Sequence, residues 1–95
     1  MDEKQLIAAI EKVVELKIYS ARSALKRVRR EKVVAFEAMR DILQAYGGLE
    51  ALLMFAMRPG MDVPEPTKDL IKSAMTRVEE IYKEAIQESW GQEAV

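Results

Sequence analysis

The chain has 95 residues, 49% of them apolar and 33% charged, with a formal net charge of −1. That length fits one domain, residues 1–95, and the composition is globular rather than disordered. Cys and His are both absent, which excludes disulfides, thiolate metal sites and thiol nucleophiles and removes the usual general base. Asn is missing as well, beside many Glu, Lys and Arg; a thermophilic source and chance in a short chain account for this equally well.

The opening MDEKQL is acidic and polar, unlike a secretory signal. The longest apolar run, ALLMFAM at 51–57, is far too short for a membrane span, so a cytoplasmic protein without a membrane partner is expected. Asp2 and Gln5 have the spacing of a capping box that opens a helix. From there to Tyr46 no Gly or Pro occurs, and Ile7, Val14, Ala21, Val28, Ala35 and Ile42 recur every seventh residue. Ile18, Leu25, Met39 and Tyr46 form a second row on the same side of a helix. The pattern predicts one long N-terminal helix over about residues 3–46, roughly 60 Å in length, stopped by Gly47-Gly48. Lys17 at the edge of the stripe and Lys32 within it mark a possible bend or a water-filled gap.

A short helix over about residues 49–57, LEALLMFAM, is apolar nearly all round and needs cover on several sides. RPGMDVPEP holds all three prolines and reads as an ordered loop. Thr67 is the expected N-cap of a C-terminal helix over about residues 67–90, with Ile71, Ala74, Met75, Val78, Ile81, Tyr82, Ala85 and Ile86 on its buried face and Gly91 at its end. No strand pattern appears, so the fold class is all-α.

Partner helices of nine and 24 residues cannot cover a helix of forty. That mismatch, and the all-round apolar segment, point to an intertwined helical-bundle homodimer. The interface is then expected at Ile7, Val14, Ile18, Ala21, Leu25, Val28, Ala35, Met39, Ile42, Leu52, Leu53 and Phe55. The alternative is a monomer whose long helix breaks near Lys17 or Lys32 and folds back.

Catalytic, cofactor and metal residues are not expected. A bundle carboxylate site wants Glu-x-x-His pairs, so Glu37, Glu79, Glu80 and Glu84 read as solvated surface. Gly47-Gly48 lacks the spacing and the Lys-Ser/Thr of a phosphate loop, and Ser20 and Ser23 have no His partner. The order of long, short and third helix in about 95 residues resembles the all-helical chorismate mutases. That resemblance implies an intertwined dimer binding a dicarboxylate through Arg and Lys, for which Lys12, Arg29 and Arg40 stand at loosely similar spacing. The family's Asp-Arg-Glu run opening the second helix is replaced by GGLEALLMF, and only Gln87 could stand for its late Gln.

RSALKRVRREK at 22–32 carries six bases and one acid. Arg22, Lys26 and Arg29 share a strip about 90° from the core stripe, flanked by Arg30, with Arg27 beyond. These five residues are the candidate contact site for a polyanion such as nucleic acid or for an acidic protein partner. Alternatively, the acidic last helix, with Glu79, Glu80, Glu84 and Glu88, lies beside the strip and sets helix register. Met39, Met54, Met57, Met61 and Met75 read as core filling, and Tyr19 and Trp90 as edge packing or interface anchors. The sequence thus points to a non-enzymatic interaction or assembly module that self-associates, with nucleic-acid binding as the runner-up.

Overall fold

The computed structural model describes residues 2–31 and 35–90. It is all-helical, with three helices: α1 (Glu3–Glu31), α2 (Ala35–Ala56) and α3 (Glu65–Trp90). Asp2 and Gln5 close a reciprocal capping box: the Asp2 N–H donates to Gln5 Oε1 at 3.2 Å and the Gln5 N–H donates to Asp2 Oδ1 at 2.8 Å. Two of the N–H groups left over at a helix start are thereby satisfied, including the cap residue's own.

Two expected boundaries are corrected. The helix expected over residues 3–46 is two helices, and the chain reverses between them. Lys17 of α1 lies against Gly48 of α2, while Arg27 pairs with Asp41, so α1 and α2 run antiparallel. Of the two places where a break was expected as the alternative, Lys17 lies within α1 and Lys32 lies outside the described residues. The apolar stripe is continuous in phase across the reversal, because the same row of side chains serves a straight helix or a folded hairpin. The hairpin lets the two halves cover each other, and that burial outweighs the continuity of one helix.

The second correction concerns Gly47-Gly48. These residues lie inside α2, not at its end, and the segment 49–57 is largely the last part of α2 rather than a separate helix. Each glycine costs about 0.5–1 kcal/mol against alanine in a helix interior. Full burial of Leu49 and near-full burial of Ala56 beyond them offsets that cost by removing apolar surface from water.

After α2 the chain turns at Arg58-Pro59-Gly60-Met61. The Met61 N–H donates to the Arg58 carbonyl at 3.1 Å and Gly60 has φ +88°. Proline second and a left-handed glycine third is the pattern of a type II turn. α3 begins two residues before the expected Thr67 cap: the Pro64 carbonyl accepts from the Thr67 and Lys68 N–H groups, both at 3.1 Å. Pro66 falls in the first turn, where its missing N–H costs no helical bond. Thr67 is instead a buried polar residue near the foot of the bundle.

Arg29, near the end of α1, reaches Glu84 and Glu88 near the end of α3, so these two helices run parallel. The result is an up-down-up bundle 53 Å long and 17 Å across. Its core runs from Ile10 and Val14 through Leu25 and Val28 on α1, Ile42 and Leu49 on α2, and Ile71, Val78 and Ile81 on α3. Alanines 21, 24, 38, 45, 56, 74 and 85 complete the buried core.

The burial contrast at the start of α3 gives a test. Ile71 is fully buried and its neighbour Leu70 is 40% exposed. Ile71→Ala should lose about 2–5 kcal/mol of unfolding free energy in urea titration, and Leu70→Ala roughly 1 kcal/mol or less. Equal losses at the two positions would mean that α3 presents a different face to the core.

Candidate interaction surfaces

Residues 22–31 of the basic stretch form the last part of α1, and the fold divides its five candidate residues into two groups. Arg27 pairs with Asp41 across the α1–α2 seam. Arg29 sits between two acids one helical turn apart, with Nη2 3.2 Å from Glu84 Oε2 and Nε 3.5 Å from Glu88 Oε1. Arg30 is engaged as well. Arg22 and Lys26 are exposed, one turn apart, with no ion-pair partner among the described residues. Two of the five, Arg27 and Arg29, are therefore inter-helix contacts that fix register, each worth about 0–1 kcal/mol at the surface. Of the acids on α3, Glu79 and Glu80 pair instead within their own helix, with Lys83 and Arg77.

The twelve residues expected at an interface also divide. Val14, Ala21, Leu25, Val28 and Ile42 are buried inside the single chain. Ile18, Met39, Leu52 and Leu53 are half-buried and pack on that core, and Ile7 is half-buried. The side chains of Ala35 and Trp90 lie outside the described residues, as does Gly91. Phe55 is 40% exposed. The main stripe thus finds its cover within one bundle, because the hairpin supplies in one chain what a straight helix would need from a second.

The exposed apolar surface is elsewhere. Phe36 is 82% exposed, Leu43 53% and Met54 68%. Their spacing, with Gly47 between them, is seven, four and seven residues. At about 100° per residue the four fall within about 40° of one line, opposite Ala38, Ile42, Ala45, Leu49 and Ala56. Sequence reading misses this line because it splits α2 at the glycines. Met57 is also exposed, so Met54 and Met57 are not core filling, whereas Met39, Met61 and Met75 pack on the core. Beside Leu43 a shallow apolar groove of about 450 Å³ runs between α2 and α3, lined by Tyr46, Tyr82 and Ile86 among others.

A polar cleft of about 330 Å³ separates α1 from α2, with Lys17, Ser20, Ser23, Gln44 and the Arg27–Asp41 pair on its walls. Tyr19, 70% exposed, stands between this cleft and a second hollow that includes Leu16 and Arg22. Among the described residues no three acids stand together to hold a metal ion, and no helix is long and apolar enough to cross a membrane. Of the side chains singled out by the chorismate-mutase resemblance, Lys12 is exposed with no ion pair among the described residues, Arg29 contacts Glu84 and Glu88 of α3, and Arg40 lies 3.9 Å from its neighbour Asp41. The expected long-short-third helix order is replaced by helices of 29, 22 and 26 residues. Compared with known proteins, the chain matches no family model, no curated protein and no solved structure.

The division of the basic strip can be checked by a double-mutant cycle. Arg29→Gln and Glu84→Gln should show a coupling of roughly 0.2–1 kcal/mol that shrinks as salt is raised. Arg22→Gln should leave the melting temperature unchanged. Zero coupling at low salt would mean that Arg29 is not held by α3.

Proposed function

We propose that this chain is a non-catalytic helical module that assembles with a second copy of itself. The observation that supports it is the outward face of α2. Large apolar side chains normally occur singly on a soluble surface, whereas Phe36, Leu43 and Met54 are three exposed ones aligned on one face of one helix. The hairpin removes the original reason to expect a dimer, since α1 no longer lacks cover. It leaves a more specific one: α2 is apolar on the side away from the bundle as well as on the side within it.

Light scattering at micromolar concentration should give at least twice the chain mass. Phe36→Lys should return the mass to that of one chain with helicity intact, because position 36 touches little within the bundle. A single-chain mass for the unaltered protein would dismiss the proposal.

A second reading rests on Arg22 and Lys26, exposed and unpaired among the described residues, with exposed Tyr19 beside Arg22. Such a group suits the phosphates of a nucleic acid, with the aromatic ring as a stacking surface. Two neutralised phosphates per chain should give a log–log salt slope of roughly −2 on duplex DNA. Arg22→Gln with Lys26→Gln should flatten it. No binding to DNA or RNA at low salt would discard this reading.

A further inference from the structure

Gly47 is the residue of α2 that the chain itself does not explain. It is exposed, and a Cβ at this position would meet nothing within 4 Å. Its neighbour Gly48 differs, since a Cβ there would come 2.8 Å from Lys17 Cε. Glycine weakens a helix relative to alanine, and at position 47 neither space nor a positive φ calls for it. What glycine offers there is close approach by another backbone. It stands in the middle of the outward apolar line.

We propose that the α2 helices of two copies pack against each other antiparallel, across a two-fold axis at the level of Ala45. This rests on the self-association proposed above and names its surface and geometry. The spacing of Phe36, Leu43, Gly47 and Met54 reads the same in both directions, as a two-fold interface requires. Antiparallel pairing about residue 45 sets Phe36 level with Met54 of the second copy. It sets Leu43 level with Gly47 of the second copy, large against small, on both sides of the axis.

The charges at the margins agree with this direction. Arg40 and Glu50 flank the line, Glu50 with no ion pair among the described residues and Arg40 only 3.9 Å from its own neighbour Asp41. In the antiparallel arrangement Arg40 is level with Glu50 of the second copy, while the two Arg40 residues are about 15 Å apart along the axis. A parallel arrangement would set Arg40 beside Arg40 and Glu50 beside Glu50. The groove of Tyr46, Tyr82 and Ile86 opens beside Leu43 and extends the apolar contact to one side of the line.

The chain has no cysteine, so single cysteines report the geometry directly. Phe36→Cys and Met54→Cys, mixed in equal amounts and oxidised, should give a disulfide-linked heterodimer, because these positions face each other. Either variant alone should give little linked product, since each residue lies about 27 Å along the axis from its own copy. Gly47→Ala should raise the melting temperature of the diluted single chain and weaken the dimer by about tenfold or more. Linkage within each variant alone would establish parallel pairing and overturn the proposal. So would a dimer by light scattering with no linkage in the mixture, or one indifferent to Gly47→Ala; self-association would then stand on another surface. A single-chain mass throughout would remove both.

Discussion

The rest of the structure depends on the antiparallel closure of α1 onto α2. A run of side chains apolar on one side from Ile7 to Tyr46 cannot stay in water, and it has two ways out. It can pair with another molecule along its whole length, or fold in half and cover itself. The fold takes the second. α3 then lies in the groove between the two halves, with Ile71, Val78 and Ile81 fully buried against both. Alanine at seven of the buried positions keeps the seams thin, so helix backbones come close and the bundle is long and narrow. A thin core removes less apolar area from water than one of Leu and Phe, and a chain this short has little stability to spare.

That closure also decides what the charges do. With α1 parallel to α3, the basic end of one lies beside the acidic end of the other, and Arg29 falls between Glu84 and Glu88. With α1 antiparallel to α2, Arg27 meets Asp41. These contacts sit at the rim, half exposed, so they select register and direction more than they add stability. Of the bases in residues 22–32, Arg27 and Arg29 are thus matched to acids distant in sequence and close in space. Arg22 and Lys26, nearer the middle of α1, have no such match among the described residues.

Much of the core was legible in the sequence. The stripe through Val14, Ala21, Val28 and Ile42 and the α3 face through Ile71, Ala74, Val78, Ile81 and Ala85 are the buried residues. The capping box at Asp2 and the turn at Pro59-Gly60 follow from local chemistry alone. A fold-back near Lys32 was legible only as the alternative to a straight helix, because no glycine or proline occurs between Glu31 and Ala35 and the seven-residue repeat runs through in phase. The opposite error occurred at Gly47-Gly48, where a strong local stop signal is overridden by the burial of Leu49 and Ala56 beyond it. Both errors have one physical origin: helix ends are set by what the flanking segments can bury, and local propensity is a weak term beside that. The outward line of Phe36, Leu43 and Met54 was hidden by the second error, since its periodicity emerges only when 36–54 is read as one helix.

The two adjacent glycines show how one residue type can answer to different demands. At position 48 the missing side chain has a use inside the chain. The Lys17 stem lies in the space a methyl would occupy, which lets a charged residue at the edge of the α1 stripe cross α2 and keep its apolar carbons in contact. The sequence marks Lys17 as a flaw in the stripe, and Gly48 accommodates it. At position 47 the missing side chain faces open space. The helix pays its propensity cost there with nothing gained in the single bundle, on the same line as the most exposed phenylalanine of the described chain. A three-helix bundle can cover one side of each helix, and α2 carries apolar residues on two. The surplus in α2 is therefore not material for this core, and the open glycine at its centre places the demand for close packing outside the single chain.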